Sequence, residues 1–89
     1  MIAIYKYPIE ITDHQVIEIP KSAKLLSVQV QYGYPCIWAM VDTNWPIMKR
    51  HITIAGTGHD LSSRLMGKFI GTIQLSDGEL IFHVFDGGE

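Results

Sequence analysis

The stretch KLLSVQVQY at residues 24–32 alternates apolar and polar side chains with a period of two. A strand sends successive side chains to opposite faces, whereas an amphipathic helix repeats its apolar residues every three or four positions. Leu26, Val28 and Val30 are therefore expected on one face, with Ser27, Gln29 and Gln31 on the other. The same period runs through AIYKYPIEI (3–11), VIEIP (16–20), HITIA (51–55), FIGTIQL (69–75) and ELIFHVF (79–85). CIWAMV (36–41) is apolar on both faces and reads as a central strand, or as one whose outer face a second subunit covers. Pro8 has no N–H for a ladder, which places the first strand at an edge or a bulge. Asp77-Gly78 between two alternating runs is a hairpin signal, because glycine supplies the positive φ that a tight turn needs. Only DLSSRLM (60–66) reads as a helical turn. About seven short strands with turns between them predict an all-β domain spanning 1–89, a small antiparallel sandwich or open barrel with one short helical turn.

A chain of 89 residues has a small core, and such a core supplies only a few kcal/mol of net stability by itself. The single cysteine, Cys36, rules out an internal disulfide and is expected to be a small buried hydrophobe. One Cys and four scattered His, none at i,i+4 spacing, match no zinc pattern, so neither metal nor cofactor is expected. Association with copies of itself is then the expected further source of stability. An apolar content of 47% against 18% charged residues suits a chain that covers part of its surface with a partner. A formal charge of −2 argues against general nucleic-acid binding, which needs a basic stripe. The opening MIAIYKYPIE lacks the pattern of a signal peptide, and no run reaches the roughly 18 apolar residues of a membrane helix. The expected location is the cytoplasm.

The faces opposite the aliphatic ones carry Gln29, Gln31, His51, Thr53, Thr72, Gln74 and His83, polar side chains of low charge. Such a surface lines a wet cavity, meets a polar ligand or faces solvent. The loop GTGHD (56–60) is the main candidate for ligand contact. Its glycines allow successive N–H groups to converge on an anion, and Thr57, Gly58 and His59 would supply donors. A helical turn after it would add its positive end, with Asp60 as N-cap. Arg50 and Arg64 are the cations expected to pair with phosphate. Trp38 is expected in the core, while Trp45 and Tyr34 are candidates to stack on a base. No nucleophile-and-base set, paired carboxylates or metal trio stands out, and an enzyme is not expected.

The string SVQVQYGYPCIWAMVD, with IYKYPIEITD before it and GTGH, IGTIQ and LIFHVF after it, resembles a family of small bacteriophage proteins classed as a domain of unknown function. The resemblance covers nearly the whole chain, and it implies a protein acting in an infected bacterial cell. From that setting follows the expectation of an oligomeric sponge. It would sequester a nucleotide-derived immune signal of the host, a cyclic nucleotide or an ADP-ribose-type ligand, in a pocket between subunits and without catalysis. The alternative is a homo-oligomeric interaction module that binds a host or phage protein.

Overall fold

The computed structural model describes residues 1–89. Its strands are β1 (Ile2–Pro8), β2 (His14–Pro20), β3 (Lys24–Gln31), β4 (Tyr34–Asp42), β5 (Ile47–Gly56), β6 (Lys68–Leu75) and β7 (Leu80–Gly88). They form two antiparallel sheets, β1-β4-β3 and β2-β5-β7-β6. The all-β sandwich expected from the alternation is therefore what the chain builds. The period-two pattern produces it because each sheet must bury one face, and the other sheet is the only apolar surface long enough to cover it.

CIWAMV is the centre of the three-stranded sheet. β4 turns Ile37, Ala39 and Val41 inward, all at most 1% exposed: Ile37 packs with Ile52 and Ile54 of β5 and Val84 of β7, while Ala39 and Val41 pack with Ile19 of β2 and Ala23. Its other face carries Cys36, Trp38 and Met40. Trp38 is thus half-buried on the outer surface rather than in the inter-sheet core, with the Lys6 ammonium 6.0 Å above its ring. Cys36 is buried and unpaired, as a small hydrophobe.

Two local expectations change. Residues 60–66 form no helix: the Asp60 carboxylate accepts the Ser62 N–H at 2.9 Å and the Ser62 hydroxyl at 2.6 Å. A side chain that ties up the backbone this way competes with a helical turn. The one short helical turn lies at Ser76–Gly78 instead, inside the β6–β7 hairpin, where Ser76, Asp77 and Gly78 all take positive φ. The second change is in β3. A bulge between Leu25 and Ser27 breaks the alternation there. Leu25 packs toward the core and Leu26 is 40% exposed, the reverse of its expected face.

β5 and β6 both run antiparallel to β7 and hence parallel to each other, so residues 57–67 must return along the sheet before β6 starts. This strap has no regular structure and is held by side chains. The Thr53 hydroxyl donates to the Met66 carbonyl at 2.5 Å. Arg64 donates to the carbonyls of Asp13 at 2.9 Å and Ile54 at 3.0 Å. At the strap's end, Gly67 has φ +89, and a Cβ there would overlap the Asp86 carbonyl. Gly58, at φ +86, has open space around it.

That contrast yields a prediction. Gly58→Ala pays only for a left-handed backbone, about 1 kcal/mol. Gly67→Ala adds a clash with backbone that cannot yield, and the total is about 3 kcal/mol. Denaturant unfolding of the two variants measures the difference, and equal losses would contradict the placement of Gly67 against β7.

Candidate functional site

Three of the seven strands carry an irregularity, and all three lie at one end of the sandwich. Besides the bulge at Leu25/Ser27 in β3, the register slips between Phe69 and Gly71 in β6 and between His51 and Ile52 where β5 meets Asp86 and Gly88 of β7. A bulge turns a side chain away from the face its position would dictate and bends the strand. Leu26 and Ile70, the extra residues of the first two bulges, both line a cleft of about 410 Å³ between the first residues of β3 and β6. Half of that cleft is apolar, with Leu25, Leu26, Phe69 and Ile70 in its wall.

Its polar part is an ion pair with two lysines beside it. Arg50 of β5 donates from Nε to Asp86 Oδ1 at 2.8 Å and from Nη2 to Oδ2 at 2.7 Å. A third bond runs from Nη1 to the Ala23 carbonyl at 2.9 Å, so one side chain ties β5 to β7 and to the β2–β3 turn. The Gly88 N–H adds a fourth contact, at 2.9 Å to Asp86 Oδ1. Side-chain exposure is 11% for Arg50 and 14% for Asp86, low enough for this two-pronged pair to matter energetically. The bonds from Arg50 hold the Asp86 carboxyl below its usual range, against the opposing effect of burial. Bonding to Asp86 likewise raises Arg50.

Lys24 and Lys68 also line the cleft, and neither takes part in either ion pair of the molecule. Three cations therefore stand with two carboxylates, Asp86 in the cleft and Glu89 at its rim, in a chain whose formal charge is −2. At the rim, Ser22 has φ 62 and its N–H meets the Glu89 carboxylate at 3.2 Å. The rim thus already receives one carboxylate from its own chain.

The residues singled out from the sequence fall in separate places. Arg50 is in the cleft. Thr57, Gly58 and His59 stand at the opposite end of β5, and Arg64 is spent on the two backbone carbonyls of the strap. The GTGHD loop does not form an anion nest. The His59 N–H bonds the Gly56 carbonyl at 3.2 Å and the Thr57 N–H bonds the Ile81 carbonyl at 3.3 Å, leaving Gly58 alone between them. The loop is a turn whose third residue, Gly58, has the positive φ that such a turn requires. The His59 ring folds back over Gly56, within 2.8 Å of where a Cβ would be. Trp45 is 50% exposed in the β4–β5 turn, and Tyr34 is 72% exposed at the start of β4, on the outer side of the other sheet.

His51, His59 and His83 do not converge on one another. His83 is held between hydroxyls, with Thr57 Oγ1 2.8 Å from Nε2 and Thr72 Oγ1 2.9 Å from Nδ1. His51 instead pairs with His14, ring stacked on ring, with Nδ1 2.9 Å from His14 Nε2. No group of three His, Cys, Asp or Glu side chains is placed to hold a metal ion. Sequence reasoning missed Asp86, Lys24 and Phe69, and it grouped Lys68 with the GTGHD loop rather than with this cleft, because bulges, which leave no periodic signal, bring these residues together.

The chain belongs to the DUF7352 family, a domain of unknown function whose model matches residues 1–89. No curated protein and no solved structure matches it.

The ion pair makes a pH prediction. Asp86 titrates lower in the folded chain than in the unfolded one. Its contribution is therefore complete above the unfolded value of about 3.9 and fades as pH falls through the folded value. Asp86→Asn should be less stable than the wild type by about 2–4 kcal/mol at neutral pH, with the gap narrowing as pH falls below the ordinary carboxylate range. Urea unfolding across that range measures it, and a gap that stays constant to low pH would contradict the assignment.

Proposed function

We propose that the protein is a non-catalytic binding module for a small organic anion, held in the cleft between β3 and β6. The observation that carries this reading is the pair of lysines that form no direct ion pair, Lys24 and Lys68, beside the buried Arg50–Asp86 pair. An unpartnered cation on a protein surface is ordinary. Two of them beside a guanidinium already oriented by its carboxylate, within a half-apolar concavity, form a preorganised acceptor for negative charge. Arg50 cannot swing out to meet a ligand without breaking three hydrogen bonds, so the lysines are the groups that contact the anion. Arg50, neutralised by Asp86, holds the floor of the cleft in place beneath them.

The cleft's size and wall narrow the ligand class. About 410 Å³ suits a mononucleotide-sized molecule. Phe69, 54% exposed beside the lysines, offers a face for a flat apolar or heteroaromatic group. A nucleoside phosphate, with its anion on Lys24 and Lys68 and its base against Phe69, satisfies both halves. In the phage setting that the resemblance implies, such a module would sequester a nucleotide-derived signal of the infected cell. The ligand would leave chemically unchanged, since binding by charge and stacking requires no reacting group.

Isothermal titration with adenosine monophosphate and with inorganic phosphate tests the reading. Adenosine monophosphate should bind more tightly than phosphate, and binding should weaken as salt rises. The Lys24→Ala, Lys68→Ala double variant should lose about tenfold or more in affinity, equivalent to about 1.4 kcal/mol. Heat denaturation should release the nucleotide intact. Affinity that survives the double lysine variant but disappears with Thr57→Ala and His59→Ala would move the site to the GTGHD loop and sink the proposal.

A further inference from the structure

We infer that the outer edge of β1 pairs with β1 of a second copy of this chain, antiparallel about a two-fold axis centred on Ile4. This inference is independent of the anion-binding reading, because β1 is at the opposite edge of its sheet from β3 and contributes nothing to the cleft wall.

The direction of the free hydrogen-bonding groups follows from the bonds that flank the β1–β4 ladder. Thr43 N–H donates to the Met1 carbonyl at 2.8 Å, and Ile9 N–H donates to the Pro35 carbonyl at 3.0 Å. With Ile2 opposite Asp42 and Pro8 opposite Cys36, the odd-numbered residues of β1 turn their polar groups toward β4. Ile2, Ile4 and Lys6 therefore turn theirs outward. Pro8 falls on the same outward side, so its missing N–H costs the existing ladder nothing.

This edge lacks the devices that normally prevent strands from pairing. Ile2 and Ile4 are 69% and 58% exposed, and Tyr5 is 41% exposed. The strand's one charge is folded away: the Lys6 ammonium reaches back across its own sheet to Gln31 Oε1 at 2.7 Å, passing over Trp38. The other edges are managed differently. β2 carries Glu18 and His14 on its outward-facing positions, and β3 and β6 lie against each other, where a Cβ on Gly71 would come within 3.0 Å of Val28. An exposed apolar edge seven residues long is a template for another strand.

The second copy fits because β1 is complementary to itself in one register. With Ile4 opposite Ile4, Ile2 falls opposite Lys6 of the second copy, and every outward N–H has a partner. That makes roughly six intermolecular hydrogen bonds. Pro8 then lies beyond Ile2 of the second copy, so its missing donor opposes no strand residue. On the other face, Tyr5 sits opposite Ala3 of the second copy, large against small, in the close pairs where side chains touch most. Any other register brings Pro8 against a strand residue or leaves an outward N–H unpaired.

Sedimentation velocity across a concentration series, together with oxidative cross-linking, tests this. The wild type should move from the single-chain mass toward twice that mass. Ile4→Lys, which places like charges face to face at the axis, should remain at the single-chain mass while keeping its melting temperature. Ile4→Cys should cross-link into a dimer under mild oxidation, because residues opposite each other in a hydrogen-bonded pair have Cα atoms about 5.5 Å apart, within disulfide range. Ile2→Cys, which faces Lys6 of the second copy, should not. Buried Cys36 keeps the background low. A wild type that stays at the single-chain mass up to about 1 mM, a regime that captures contacts as weak as −4.1 kcal/mol, overturns the inference. So does a dimer unaffected by Ile4→Lys, or cross-linking of Ile2→Cys as fast as Ile4→Cys.

Discussion

The interior of this sandwich is one layer of side chains thick, and that limit governs where anything else in the molecule can happen. The principal extents are 40 × 32 × 15 Å, and two packed sheets with interdigitating residues occupy the shortest of them completely. Ile19, Ile37, Ile52, Val41 and Val84 fill the space between the sheets with essentially no exposure. No ligand can enter between them without separating the sheets. Binding has to take place at a rim or an edge, and the chain's irregular features lie in those places.

The cleft between β3 and β6 shows how a rim site arises from such a fold. Regular strands would have met there as they do at Gly71 and Val28. Bulges in β3 and β6 turn Leu26 and Ile70 out of register instead, leaving a hollow, and its floor would be open to water without the Arg50–Asp86 pair. The pair joins β5, β7 and the turn into β3 through bonds from one guanidinium. It thereby fixes the floor of the cleft and neutralises the carboxylate beneath it. A carboxylate alone there would repel the ligand class that Lys24 and Lys68 favour. The opposite end of β5 had the more suggestive composition, yet the backbone donors on either side of Gly58 are already bonded within the protein, leaving no run of free donors to converge on an anion.

Much of the fold could be read from the residues, because it rests on local period. CIWAMV had to be central or covered by a second subunit, since both of its faces are apolar, and it is central. Pro8 had to be at an edge or a bulge, since it cannot donate, and it is at an edge. The hairpin at Asp77-Gly78 needed positive φ and has it. The candidate site was far less legible. Arg50 could be named as a cation but not paired, because Asp86 is 36 positions away in sequence and becomes its neighbour only through the β5–β7 register. Arg64 looked equally available and is bound to the strap that it fastens. The expected face of Leu26 was wrong for the same reason that the cleft exists: one extra residue in a strand inverts the alternation, and no residue type in that stretch announces it.

Period-two alternation, turn chemistry and the lack of a helical repeat were enough to specify strands, their approximate ends and a two-layer all-β architecture. Each of those depends on neighbours within a few positions. Which strands pair, where the ladders slip and which charges neutralise one another depend on contacts between distant segments, and only the folded chain decides them. The rim cleft and the bare β1 edge belong to that second kind. Both are products of register, a property that a strand acquires only from the strand beside it.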